Sequence, residues 1–238
     1  MNHNKRIEWL DAVKGIGILS IMLVHMNALP FDTKYIATGY VAMFFVISGL
    51  TFSVRNGVML GIRSKCSRLL VPYFFYAILI VLIVFAFSIV SGKDYDIVRN
   101  LFAVIYSRRS WIANSNIPEE ALLLRGGCSP LWFLTSLFTS LLLVYLWHVL
   151  KRSRGLIGVY ALLAVGASML PVLLPWSIDV APLGALLIIT GVQFRQQLCS
   201  TTYDKWVPMV LIAYIALCYV NGAGNMSVRC YGNYSVLS

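Results

Sequence analysis

Long apolar runs divided by short basic clusters restrict this chain to one class of fold. Seven runs are long enough to be candidate membrane spans, at approximately residues 10–29, 35–54, 69–90, 130–150, 156–174, 178–194 and 206–220. About 20 helical residues cross a bilayer core of about 30 Å. The pattern therefore predicts an all-α fold, a polytopic transmembrane helical bundle of about seven spans.

The composition of the 238 residues supports this class and excludes others. Apolar residues make up 59% of the chain and charged residues 12%. In soluble domains roughly a quarter of all residues are charged. This balance excludes a soluble globule and a low-complexity disordered chain. No internal repeat or linker-like tract interrupts the sequence, so residues 1–238 are expected to form a single membrane domain. The lipid bilayer is the expected partner of this domain.

The distribution of Lys and Arg predicts the orientation of the bundle. A formal net charge of +10 suits a nucleic-acid partner when the basic residues share one polar face. Here they fall between apolar runs, which argues against nucleic acid. A cytoplasmic N-terminus places the clusters at 5–14, 55–68, 151–154 and 195–205 inside and leaves fewer basic residues outside, in agreement with the positive-inside rule.

The first 29 residues and the cysteines each allow another interpretation. A charged start followed by an apolar stretch is typical of a signal peptide, but no small-x-small cleavage site follows, so we interpret this stretch as the first permanent span. The five cysteines lack CxxC spacing, so the sequence indicates neither a zinc site nor a disulfide framework. No metal is expected, and the chain is expected to be a multi-pass protein of the cell membrane.

The first span carries the most informative polar residues, Asp11, Lys14 and His25. Ionisable groups are costly in apolar helices and are therefore functional candidates. Lys14 and His25 are 11 residues apart, close to three helical turns, so both project from nearly the same face about 16 Å apart. Asp11 precedes Lys14 by three residues and is expected to pair with its ammonium group.

His25 has two interpretations. A neutral imidazole that hydrogen-bonds a neighbouring helix is one of them. The other is catalytic, because imidazole exchanges protons near neutral pH and serves as a general base for a hydroxyl nucleophile. His148 lies at the cytoplasmic end of its span beside Lys151 and Arg152, where a solvated interfacial histidine is the favoured interpretation.

Three further elements each allow a packing or topological role and a functional one. Lys65 and Arg68 share a helical face near the membrane surface, where they either hold the loop inside or bind a phosphate-bearing cofactor. Ser48 and Gly49 are small residues, suited to a helix contact or to close approach of a substrate. Trp132 is an interfacial anchor or an aromatic wall for a sugar.

The order and spacing of these elements resemble the acyltransferase 3 family of integral-membrane acyltransferases, many of which acetylate bacterial surface polysaccharides. Residues 6–25 (RIEWLDAVKGIGILSIMLVH) resemble its first span, in which a basic residue is followed by an essential histidine. Residues 44–49 (FFVISG), 65–73 (KCSRLLVPY) and 130–134 (PLWFL) resemble its second-span, basic cytoplasmic and LWFL elements. Family members more often have Arg where this chain has Lys14, and they usually have about ten spans.

The resemblance implies a donor, an acceptor and roles for individual residues. The donor is acyl-CoA, in particular acetyl-CoA, and the acceptor is a hydroxyl of a cell-surface or lipid-linked saccharide at a bacterial inner membrane. His25 is the general base or a transient acyl carrier, with Lys14 and Asp11 in the catalytic set. The donor set is Lys65, Arg68, Ser48 and Gly49, and the acceptor set is Trp132 and Tyr73.

Two alternatives to an active enzyme remain at this point. A transporter or flippase component would use Lys14 and His25 to line a polar pathway. An inactive fragment is the other, because the chain is shorter than usual family members and is expected to lack their last spans.

Overall fold

The computed structural model describes residues 8–25, 34–54, 57–112, 131–198, 226–227 and 229. Within these ranges the chain forms helices and no strands, with one isolated bridge between Ile112 and Val172. The helices are α1 Glu8–His25, α2 Lys34–Leu50, α3 Val58–Ser91, α4 Ile97–Tyr106, α5 Trp132–Val149, α6 Arg154–Ser168, α7 Ala181–Gln193 and α8 Arg195–Leu198, with a 3-10 helix at Pro175–Ser177 before α7. The predicted all-α fold is confirmed.

Six of the seven predicted spans coincide with helices, and the seventh, 206–220, lies outside the described residues. By length and composition, three helices of the described part are long and apolar enough to cross a membrane: Val58–Ser91, Trp132–Val149 and Pro175–Gln193. Helix α1 carries the charged Asp11 and Lys14, and α2 and α6 are 17 and 15 residues long. The number of spans that meet these criteria is therefore below the predicted seven.

Three helices, α2, α5 and α7, run parallel and enclose the main core. Helix α7 packs against both α2 and α5, while α1 packs along α2. The core between them is built from large apolar side chains with little or no exposure, including Phe45, Leu141, Val144, Ile188 and Ile189. Because these three helices are parallel, their C-termini meet at one end of the bundle.

Small residues allow α2 and α7 to approach until their backbones touch. A Cβ atom added at Gly49 would lie 2.0 Å from the carbonyl oxygen of Ile188, and one added at Gly191 would lie 2.1 Å from that of Val46. Close helix contact through small residues is a common way to join helices in membranes.

Replacement of Gly191 by alanine is expected to destabilise the protein by about 1–3 kcal/mol, because the new methyl group forces the α2 and α7 backbones apart. The thermal unfolding midpoint in detergent measures the effect. The matched control is Gly158→Ala in α6, where an added Cβ has no heavy atom within 4 Å. Equal midpoints for the two variants would contradict the role of this contact.

Helix α3 has two parts with different neighbours. Its 34 residues extend about 51 Å, more than a bilayer core requires. Near its start, Gly61 lies against the ring of Tyr145 in α5. Farther along, the Tyr73 hydroxyl donates a hydrogen bond of 2.6 Å to the carbonyl oxygen of Val104 in α4. The apolar run from residue 69 onwards is the part suited to the membrane, and the basic first part precedes it.

Candidate active site

The predicted ion pair in α1 is present. The Lys14 ammonium nitrogen lies 3.6 Å from a carboxylate oxygen of Asp11, and the two side chains are 36% and 40% exposed. A pair with this exposure contributes little to stability, about 0–1 kcal/mol. Its consequence is positional, since Asp11 restrains the direction of the Lys14 side chain one helical turn away.

His25 is the last residue of α1, and its side chain lies outside the described part of the structure. The backbone still determines its register, because α1 is unbroken from Glu8 to His25. Gly17 packs against Met43 and Phe44 of α2. Viewed along the helix axis, positions 14 and 25 are rotated from Gly17 by about 60° and 80° in the same direction. The helix is continuous over this interval, as the common face requires, and the common face itself stays a prediction.

Lys65 and Arg68 lie one helical turn apart near the start of α3, and the charge of Lys14 in α1 acts on Lys65. Lys65 is half-buried and precedes the apolar part of α3, while Arg68 is exposed. Burial lowers the pKa of Lys65, and the positive charges of Arg68 and Lys14 lower it further. The positive charges of these basic groups act together on Lys65, and a positive potential of this kind attracts anions.

Ser48 and Gly49 lie where their packing interpretation places them. The Ser48 hydroxyl donates to the carbonyl oxygen of Phe44, one turn earlier in the same helix, at 2.8 Å. Gly49 forms the close contact between α2 and α7 described above. Among the described residues these contacts favour a role in helix association, and a donor-binding role for this pair stays a prediction.

The two predicted acceptor residues have different surroundings. The Arg108 guanidinium lies 5.9 Å from the centre of the Trp132 ring, a cation–π contact, and Trp132 is partly buried at the start of α5. Tyr73 is 3% exposed and its hydroxyl is engaged by Val104. Trp132 therefore presents an aromatic surface beside a cation, whereas Tyr73 joins α3 to α4.

A buried ion cluster of Arg108, Asp179 and Arg229 lies next to Trp132, and sequence reasoning did not identify it. Arg108 contacts one carboxylate oxygen of Asp179, and the Nε of Arg229 lies 2.9 Å from the other. All three side chains are at most 2% exposed. Burial lowers the pKa of Arg108, and the negative charge of Asp179 acts in the opposite direction.

Hydrogen bonds from the two guanidiniums join three segments that are remote in sequence. Arg108 donates to the carbonyl oxygens of Leu174 and Ser227, and Arg229 donates to those of Leu170 and Val172. The sequence does not indicate this cluster, because Arg108, Asp179 and Arg229 lie in three separate segments and no local pattern relates them. The cluster ties the segment after α4 to the connection before α7 at the end of the bundle where Trp132 lies.

Basic side chains of the described residues gather at the other end of the bundle, where α2, α5 and α7 end and α3 begins. We call this the basic end, and its Lys and Arg residues are Lys14, Arg63, Lys65, Arg68, Lys151, Arg152, Arg154 and Arg195. The end that carries Trp132 holds a smaller described set together with Asp94, Asp96 and Asp179. The two ends therefore differ in charge.

Comparison with known proteins assigns most of the chain to one family model. A model described as an acyltransferase domain matches residues 7–227. Comparisons with curated proteins and with solved structures gave no significant match. The matched range includes every residue of the candidate site, from Asp11 to Trp132.

Proposed function

Because the chain belongs to the acyltransferase 3 family, we propose that it transfers an acyl group, specifically acetyl, from cytoplasmic acyl-CoA to a hydroxyl of a cell-surface or lipid-linked saccharide. The observation that carries this proposal is the arrangement of α1, whose Asp11–Lys14 ion pair lies on the same unbroken helix as position 25. The positive charge of Lys14 also acts on Lys65 of α3.

The donor binds at the basic end. Coenzyme A carries several phosphate groups, and charge-assisted hydrogen bonds from Lys and Arg are the strong contacts for phosphate. Lys65 and Arg68 bind these phosphates, and Lys14, restrained by Asp11, orients the donor along α1. No metal takes part in this scheme.

His25 acts as the general base for the acceptor hydroxyl. The acceptor hydroxyl oxygen attacks the thioester carbonyl carbon and forms a new ester, while the imidazole of His25 takes the hydroxyl proton. The thiolate of coenzyme A leaves and receives that proton. A transient acyl-imidazole on His25 is the alternative route, with water excluded until the saccharide attacks.

The acceptor binds toward the end that carries Trp132. An aromatic ring presents an apolar face on which sugar rings stack, and Arg108 supports the ring from one side. A helix about 27 Å long separates this end from the basic end, comparable to the bilayer core. The donor therefore enters from one side of the membrane and the acceptor from the other.

The orientation of the chain follows from the same charge difference. Cytoplasmic segments of membrane proteins carry an excess of Lys and Arg, and the basic end supplies this excess. We therefore place the basic end and the N-terminus in the cytoplasm of a bacterial cell, with the chain crossing the plasma membrane several times.

Combined replacement of Lys65 and Arg68 by alanine is expected to raise the KM for acetyl-CoA about tenfold or more, since a hydrogen bond to a charged group contributes about 1.5–3 kcal/mol. The measurement is initial rate against acetyl-CoA concentration in membrane vesicles. The expected change in kcat is smaller, because these groups hold the donor and do not touch the reacting atoms.

The matched control for this pair is Arg63→Ala, which removes an exposed cation from the same basic segment of α3. A protease-accessibility assay of both variants verifies that topology is unchanged. An unaltered dependence on acetyl-CoA in the double variant would reduce Lys65 and Arg68 to topological charges.

A further inference from the structure

A cleft opens at the basic end where the C-termini of α2, α5 and α7 meet α8. Its volume is about 350 Å³, at the lower end of the range of small-molecule sites. Its walls include His148, Arg152, Gln193, Arg195 and Gln196, with Gly49 at the contact between α2 and α7. The cleft is separate from the Trp132 end and belongs to helices other than α1 and α3.

The two arginines of the cleft carry positive charges that no described carboxylate neutralises. Neither Arg152 nor Arg195 has an ion pair with a described carboxylate. The Nδ1 atom of His148 is buried and has no hydrogen-bond partner among the described residues. A buried polar atom normally has a partner, so this Nδ1 is an unsatisfied atom of the cleft wall. The groups that the cleft offers to a ligand are the two exposed guanidiniums.

The backbone holds Arg152 in place at a cost. Lys151 and Arg152 both have positive φ, 52° and 58°, a conformation that is unfavourable for residues other than glycine. The Arg152 guanidinium lies 5.6 Å from the ring centre of Trp147, which is 1% exposed. This cation–π contact fixes the charged group beside the cleft while leaving its N–H donors available.

The helix ends do not cancel this charge. The C-terminus of a helix carries about half a negative elementary charge. The ends of α2, α5 and α7 together supply about −1.5 elementary charges, less than the +2 of the two arginines. The carbonyl oxygens of Thr190 and Trp147 are moreover capped by the backbone N–H groups of Phe194 and Arg152. The surroundings of the cleft therefore remain positive.

We propose that this cleft binds a phosphate group of a ligand that reaches it from the basic end. Two planar guanidiniums around a small cleft match the geometry of phosphate oxygens. Two sources carry this chemistry: the nucleotide part of the acyl-CoA donor, a case that rests on the proposed function, and the headgroup of an anionic phospholipid, which does not depend on it.

The test uses the full-length chain in nanodiscs of neutral phosphatidylcholine, with free coenzyme A as the probe in isothermal titration calorimetry. Combined Arg152→Ala and Arg195→Ala is expected to weaken binding at least tenfold. Lys151→Ala with Arg154→Ala removes the same charge from the same end outside the cleft lining and is expected to change affinity less than twofold. Both pairs are exposed, and matched unfolding midpoints verify folding.

A second arm replaces part of the neutral lipid by phosphatidylglycerol and measures the rise in the unfolding midpoint. A loss of coenzyme A affinity in the Arg152/Arg195 variant assigns the cleft to the donor, and a loss confined to the phosphatidylglycerol response assigns it to lipid. If both responses match those of the Lys151/Arg154 control, the proposal is overturned. If the unmodified protein binds no coenzyme A, the proposed function fails while the lipid arm still decides the cleft.

Discussion

Replacement of His25 by alanine is expected to reduce the rate of acyl transfer by about 100- to 10,000-fold. This is the range that a positioned general acid–base group contributes. The loss appears in kcat, because position 25 lies about 16 Å along α1 from Lys14, on the helix that carries the proposed donor contacts. Either role of His25, as base or as acyl carrier, gives this result.

The measurement is incorporation of radiolabelled acetyl groups from acetyl-CoA into cell-surface glycan, at matched protein levels in the membrane. The control is Leu19→Ala, which truncates a 60% exposed side chain on the same helix and is expected to leave the rate nearly unchanged. Full activity of the His25→Ala protein would remove the catalytic assignment. Absence of transfer by the unmodified chain would favour the transporter alternative or an inactive protein.

Replacement of Asp179 by asparagine is expected to destabilise the protein by about 3–5 kcal/mol. Asparagine keeps the shape of the side chain but leaves two buried guanidiniums, those of Arg108 and Arg229, without their carboxylate. Breaking a buried ion pair costs this much because the remaining charge stays out of water without compensation. The segments held by the two arginines then lose their common anchor, and Trp132 loses its support from Arg108.

The effect is measured as the shift of the thermal unfolding midpoint in detergent, with tryptophan fluorescence as the signal. Asp94→Asn provides the control, since Asp94 is an exposed carboxylate in the connection between α3 and α4, where a lost charge changes stability by less than about 0.5 kcal/mol. Similar midpoints for the two variants would show that Asp179 is not required for the stability of this end of the bundle.

Local patterns in the sequence are sufficient to predict the helices and the contacts within one helix. Apolar runs of about 20 residues predicted α3 and α5, and the three-residue spacing of Asp11 and Lys14 predicted their ion pair. Both depend on helical geometry alone, which repeats every few residues. The spacing of positions 14 and 25 belongs to the same category.

Contacts between helices do not follow from such local patterns. Gly49 and Tyr73 occur in segments that resemble functional elements, but in the folded chain Gly49 admits the backbone of α7 and the Tyr73 hydroxyl joins α4. The position of His148 beside Lys151 and Arg152 predicts a solvated imidazole, whereas its Nδ1 atom is buried in the wall of a cleft. The neighbour of a side chain across a helix contact depends on rotation and depth, which a linear pattern does not specify.

Membrane character, the helical architecture and the family thus follow from the order of residues, because hydrophobic length and motif spacing are properties of short segments. The partners of Arg108, Asp179 and Arg229, and the meeting of Arg152, His148 and Arg195 round one cleft, depend on the folded bundle. These groups are brought together from distant segments, and the favourable energy of their contacts exists only after the helices between them have packed.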